Sequence, residues 1–300
     1  MSDRISNMMG QVSGWRLLPA CGVVISIACA QLGASFAARM LPVVGVSGIM
    51  ALRLGFAALI LSLVSRPWRI RRTDINGAGG MLVLYGLSIG VTGLCFYLAL
   101  RTVPLGVLTA LQFCGPLSVA LIGSRRILDF LWVGLAATGL ALLLPLRSAH
   151  SVDPVGAVFA LLSGAAWAAY IVMGRRASAR LRQPNCMPAF GAIVASLIMV
   201  PAGIVGAGAE LFHLSVLAAG LVIALLSSAL PYLLDAKIMS RVSPRAFGTL
   251  ASLGPATGAL IGFLVLGQRL GLYEWSGIAA IVAASVGTSL SSKPPQVDPA

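Results

Sequence analysis

Gly115-Pro116-Leu117-Ser118-Val119-Ala120-Leu121-Ile122-Gly123 returns as Gly254-Pro255-Ala256-Thr257-Gly258-Ala259-Leu260-Ile261-Gly262, six identities in nine at an offset of 139 residues. Just upstream, Arg101 and Pro104 are echoed by Arg241 and Pro244, and Thr109 and Gln112 by Thr249 and Ser252, at an offset of 140. A match of this kind between two distant stretches marks a chain built twice on one plan. The residues around both copies are almost wholly apolar, so the repeated unit is a set of hydrophobic helices.

Outward from the two copies, apolar runs separated by charge or by Pro and Gly clusters lie near 17–38, 43–65, 77–100, 105–123, 128–146, 155–174, 187–207, 215–240, 246–267 and 272–290. Each is near the roughly 20 residues that carry a helix through about 30 Å of hydrocarbon. The composition agrees: 58% of residues are hydrophobic and 10% charged, with a mean hydropathy of +0.96, too apolar for a water-soluble surface. Ten spans leave only short loops and no room for a separate soluble domain. The expected architecture is an all-α membrane protein with a first five-helix repeat at 1–148, a second at 149–292 and a tail at 293–300. Because each repeat holds an odd number of spans, the second enters the membrane the opposite way up, an inverted repeat typical of transporters.

The basic residues set the orientation. With the N-terminus inside, cytoplasmic segments hold Arg4 and Arg16; Arg66, Arg69, Arg71 and Arg72; Arg125 and Arg126; Arg175, Arg176, Arg180 and Arg182; Arg241 and Arg245; and Lys293. Only Arg39, Arg101, Arg147 and Arg269 fall outside. By the positive-inside rule both termini, and the 293–300 tail, are cytoplasmic. The net charge of +13 is therefore topological, and no nucleic-acid partner is indicated, since the charges punctuate apolar runs instead of sharing one soluble face. Cys21, Cys29, Cys95, Cys114 and Cys186 show no metal-ligand spacing, so neither a disulfide framework nor a metal site is expected. The first apolar run exceeds a signal-peptide core and lacks a clear cleavage site, so the first helix is read as retained. The two histidines, His150 and His213, fall in outside loops with no nucleophile–base pair in view, and no enzyme or cofactor is expected.

A charged group inside a span costs on the order of 3 kcal/mol on insertion scales, so each one asks for a reason. Asp235 is the one carboxylate well within a predicted span, and it shares a helical face with Tyr232 and Ser228, a stripe suited to an ammonium group and to proton exchange. Lys237 lies two residues on and faces away. Arg53 sits near the middle of the second span, where its fork could meet a substrate carboxylate or clamp backbone carbonyls. Ser163, Trp167 and Tyr170 line one face of the sixth span. Gln31 occupies the comparable place in the first span, and Tyr97 stands opposite Lys237 in the repeat alignment. The row Gly86, Gly90, Gly93 reads as close helix packing, and Trp15, Trp68, Trp132, Tyr273 and Trp275 as interfacial anchors.

The stretches GASFAARMLPVVGVSGIMALRLGFAALIL, FYLALRTVPLGVLTALQFCGPLSVALIGSRRILDFLWVGL and RAFGTLASLGPATGALIGFLVLGQRL together resemble the EamA-type members of the drug/metabolite transporter superfamily, most closely the threonine/homoserine exporter branch. The resemblance implies a multi-pass protein of the bacterial inner membrane. It also implies a secondary transporter that exports small neutral amino acids by alternating access without ATP hydrolysis. Efflux of a cationic drug or another small metabolite by the same fold is the alternative, and a homodimer is compatible with either. Relatives commonly carry Glu where this chain has Gln112, Gly254 and Gln268, so the protein would either couple protons elsewhere, with Asp235 the candidate, or act as a facilitator. Gln112 joins the substrate-binding candidates at the first of these positions.

Overall fold

The computed structural model describes residues 2–70, 77–122, 127–143, 153–181, 184–239 and 251–291, with side chains at 21–70, 77–119, 131–142, 153–181, 185–234 and 251–287. It is helical throughout the described residues. Helix α1 runs Ser2–Ser65 but is two arms joined at Gly45 (φ 67°, ψ −179°). Only glycine takes that φ without strain, so arm one (2–44) and arm two (46–65) fold back with a single residue between them. Arm two ends at Arg66, held left-handed at φ 50°, before the short turn Pro67–Arg69.

Then come α2 (Gly79–Ala99), α3 (Leu105–Ile122), α4 (Ile127–Leu143), α5 (Pro154–Ser178) and α6 (Met187–Ala207). Helix α7 (Leu214–Ala224) passes through a π turn, Leu225–Ala229, into α8 (Leu230–Met239). Helices α9 (Gly254–Leu266) and α10 (Leu272–Ser291) close the described chain. Among the described residues five stretches are long and apolar enough to cross a bilayer: Cys21–Ser65, Gly79–Ala99, Pro154–Ser178, Met187–Phe212 and Leu214–Leu234. The first has 45 residues, about twice one crossing. Shorter apolar helices lie at Leu105–Val119, Leu131–Leu142, Gly254–Leu266 and Leu272–Gly287.

Local chemistry sets several ends. Asp153 caps α5, accepting from the Gly156 N–H at 2.8 Å, with Pro154 in the first turn where no amide donor is missed. Gly267 (φ 67°, ψ 18°) closes α9 in a left-handed cap, its N–H and that of Gln268 turning back to Phe263 and Gly262. That turn delivers the Gln268 Oε1 to the Leu105 N–H, 2.9 Å away, so the end of α9 satisfies the start of α3.

Outward faces carry large apolar groups, among them Leu197, Val205, Leu214, Leu264 and Leu272, an arrangement that fits lipid and not water. Inside, small residues let backbones touch. Arm two lies along α6 through Gly48, Gly55, Gly203 and Gly206, α2 meets α6 at Gly86, and α4 meets α10 at Gly139 and Gly287. The tightest crossing is α3 over α5, where a Cβ on Gly115 would stand 1.9 Å from the Gly164 carbonyl oxygen. Pro116, next to it, withholds an amide from the Gln112 carbonyl, and the Gly164 backbone lies directly over that oxygen. In the second copy Pro255 opens α9 instead of interrupting it. The same tripeptide context thus crosses a neighbour in one half and begins a helix in the other.

Candidate functional site

Among the described residues every buried polar side chain is neutral: Ser26, Ser35, Thr109, Gln112, Ser163, Ser228, Ser252 and Ser285. Arg53 is the cation drawn into this setting. From arm two its Nε donates to the Ser228 Oγ at 2.9 Å and its Nη2 to the Ser227 carbonyl oxygen at 3.4 Å. Its guanidinium carbon stands 5.6 Å from the centre of the Tyr97 ring, a cation–π distance. The π turn is what brings the two serines within reach, because its wider winding turns the 227–228 backbone toward arm two. Room for the guanidinium comes from Gly93 on α2, where a Cβ would lie 3.2 Å from Nη1. No ion pair to Arg53 occurs among the described residues. Its charge is met by a hydroxyl, a carbonyl and a ring.

One residue along α2, a second polar group begins. Gln112 Nε2 donates to the Ser163 Oγ at 2.8 Å, and that hydroxyl donates to the Thr92 carbonyl oxygen at 2.8 Å. Three helices, α3, α5 and α2, are joined by this directed chain. Trp167, one turn beyond Ser163, meets Phe113 edge to face at 5.7 Å. Two turns beyond Ser163, Tyr170 stacks on Tyr85 at 4.8 Å and 24°, and the two side chains are hydrogen-bonded. The Ser163–Trp167–Tyr170 face of α5 therefore looks onto α2 and α3.

The remaining candidates disperse. Gln31 donates to the Gly254 carbonyl oxygen at 3.4 Å and lies against Gly258, tying arm one to α9. Two turns further along arm one, Arg39 donates to the Val265 carbonyl oxygen. Tyr232 packs with Ala58, Leu61, Ala189 and Ala192. Asp235 continues α8, but its side chain, like that of Lys237, lies outside the described residues. Gly86, Gly90 and Gly93 are packing positions against Val194, Met199 and Met50. No group of three His, Cys, Asp or Glu able to hold a metal occurs among the described residues. A cleft of about 350 Å³ beside Gln268, Arg269 and Trp275 opens at the α9–α10 turn and shares no lining residue with the Arg53 or Gln112 groups.

Sequence reasoning passed over Thr92. Among the described residues its hydroxyl is closed from solvent and has no partner, as is that of Ser35 on arm one.

The EamA-like transporter family matches residues 154–290. The threonine/homoserine exporter RhtA of Salmonella typhimurium strain LT2 is 44% identical over 282 residues, 93% of this chain and 94% of its own. The protein of the same name from Escherichia coli strain K12 is 44% identical over 275 residues, 91% and 92% of the two chains. An uncharacterized transporter, YwfM of Bacillus subtilis strain 168, is 24% identical over 252 residues, 78% and 80%. A protein crystal structure superposes with a TM-score of 0.62 over 91% of this chain and 96% of that one at 14% identity, a likeness of fold alone.

Proposed function

This chain belongs to the EamA-like transporter family, and from that premise we propose that it exports small neutral amino acids of the threonine/homoserine kind across the bacterial inner membrane. Identity of 44% along nearly the whole of both chains supports that substrate class. Transport here involves no covalent change in the substrate.

The machinery we propose is ten spans in two inverted five-helix repeats, with both termini cytoplasmic and the halves at 1–148 and 149–292. The packing supports it. Exchange arm one for α5, arm two for α6, α2 for α7 and α8, α3 for α9, and α4 for α10, and most of the contacts map onto one another. Arm two–α6, α3–α9 and α4–α10 are each their own image; α2–α5 answers the contact of the π turn with arm one at Gly33, and α3–α5 answers α9–arm one at Gln31. Alternating access would then be a rocking of one repeat against the other about these shared seams.

The single observation that carries the site is Arg53. A half-buried guanidinium with no carboxylate partner among the described residues is suited to receive a substrate carboxylate in bidentate fashion. The substrate would lie across α2 between Arg53 with Tyr97 and the Gln112–Ser163 pair, with Trp167 and Tyr170 beyond. Gln31, Tyr232 and Asp235 would act on the path: Gln31 at the α9 seam, Tyr232 and Asp235 along α8, with Asp235 exchanging the coupling proton. A fixed cation at the site opposes cationic drugs, since bringing like charge to Arg53 is costly.

Proteoliposomes loaded with labelled threonine or homoserine should empty faster with the native protein than without it, and cells lacking their own exporters should gain tolerance to both. Absence of both effects would remove the amino-acid assignment. Asp235→Asn should flatten the dependence of efflux on an imposed pH gradient while leaving exchange of threonine for threonine in place.

A further inference from the structure

Threonine and homoserine are both hydroxylated forms of 2-aminobutyrate, differing only in which carbon bears the hydroxyl. Arg53 answers their shared carboxylate, and nothing at Arg53 distinguishes them from the many amino acids without a hydroxyl. An exporter selective for this pair needs a second place that rewards an alcohol. The export reading above is the ground on which this rests.

The polar chain on α2, α3 and α5 has the required complement. Ser163 has committed its proton: its hydroxyl accepts from Gln112 Nε2 and donates to the Thr92 carbonyl oxygen, both at 2.8 Å. What it leaves over is specific. Among the described residues the Gln112 side-chain oxygen engages no donor, and the Thr92 hydroxyl, shut off from solvent, engages nothing at all. An alcohol both donates and accepts, so it can give its proton to the Gln112 oxygen and take one from Thr92. An unsatisfied buried hydroxyl costs free energy until a partner arrives; here the missing partner has the chemistry of the substrate.

Position agrees with chemistry. Thr92 is the neighbour of Gly93, whose bare Cα makes room for the Arg53 guanidinium. The orphan hydroxyl and the glycine that borders the Arg53 guanidinium therefore belong to consecutive residues of α2, with Cα atoms about 3.8 Å apart. Ser163, fully buried, fixes both ends of the pair by holding Gln112 on one side and the α2 backbone on the other.

We infer that Thr92 and Gln112, positioned by Ser163, form the site that recognises the substrate's side-chain hydroxyl and so set the selectivity for hydroxylated amino acids. Ligands sharing only the amino and carboxylate groups would bind at Arg53 and leave Thr92 unpaired, the situation in which sites built for a hydroxyl reject its deoxy analogue.

The test is efflux from proteoliposomes of labelled threonine, homoserine and 2-aminobutyrate in parallel, for the native protein, Thr92→Val and Thr92→Ser. Valine has the shape of threonine without its hydroxyl. We expect the native protein to favour the two hydroxylated solutes. Thr92→Val should lower that preference by about tenfold, the worth of one hydrogen bond, through loss of threonine and homoserine flux with 2-aminobutyrate flux kept. Thr92→Ser should retain the native preference. A Thr92→Val protein with unchanged preference overturns the inference, and so does one that loses all three solutes equally while Thr92→Ser restores all three, which assigns Thr92 to packing. If the native protein moves threonine and homoserine but treats 2-aminobutyrate alike, the hydroxyl site is refuted and the export reading stands. If it moves none of them, the export reading itself fails and this site with it.

Discussion

Alanine at Gly115 and alanine at Gly254 are the same substitution at matched positions of the two repeats, and the structure assigns them opposite outcomes. At Gly115 the added Cβ would meet the Gly164 oxygen at 1.9 Å, the Gly164 carbonyl carbon at 2.4 Å and its Cα at 2.9 Å. All three are backbone atoms, which no rotamer change can clear. Restoring an ordinary contact of about 3.4 Å takes roughly 1.5 Å of separation between α3 and α5. The Gln112–Ser163 bond, now 2.8 Å, would then stretch to roughly 4 Å and be lost. Overpacking of this kind costs about 1–3 kcal/mol and the lost bond about 1 kcal/mol more, against about 1 kcal/mol gained in helix propensity. At Gly254 nothing among the described residues lies within 4 Å of the new Cβ, so alanine there should be neutral. In detergent, scanning fluorimetry should show Gly115→Ala melting several degrees below the native protein and Gly254→Ala matching it. Efflux should follow the same order. Equal melting points for the two variants would refute the α3–α5 crossing and, with it, the geometry that joins Gln112 to Ser163.

Other changes have equally definite outcomes. Arg53→Lys keeps the charge but loses the fork that spans Ser228 and Ser227, so threonine efflux should fall at least about tenfold while the protein remains folded by circular dichroism. Gln268→Ala removes the acceptor for the Leu105 N–H and should cost about 1 kcal/mol by melting, whereas Gln268→Glu keeps an acceptor and should cost less. The Asp153 carboxyl is held below the usual carboxylate range by the Gly156 N–H, then by the Thr102 hydroxyl. The unfolded chain therefore binds the proton first as pH falls. The stabilisation is complete above the unfolded value of about 3.9 and disappears as pH drops through the lower folded value. Melting curves taken from about pH 6 to pH 3 should decline at the acid end more steeply for the native protein than for Asp153→Asn.

Much of this molecule is written in apolar length and in one repeated nonapeptide. A run of about twenty apolar residues has few structures open to it in lipid, so the helices can be read from residue type alone. Arg53 and Gln112 could be picked out because polar groups in such runs are conspicuous. Their partners could not. The π turn at Leu225–Ala229 adds a residue to a helical winding without any change in composition, yet it decides that Ser228 faces Arg53. Ser228 bonds Arg53, and Tyr232, which sequence spacing put on the same stripe, packs among the alanines of arm two and α6. Thr92 was silent for a related reason. A threonine in an apolar helix ordinarily satisfies itself on the preceding turn, as Thr109 does on Leu105, and nothing in the sequence says that Thr92 does not.

The hinge at Gly45 is a single residue long, too short to absorb movement as a loop would. Arm one carries Gln31 and Arg39, fastened to carbonyls of α9; arm two carries Arg53. The pair therefore works as a bell crank: a displacement of α9 felt by the first arm is handed round the elbow to the guanidinium on the second, so that the state of the far seam is transmitted mechanically to the residue that would hold the cargo.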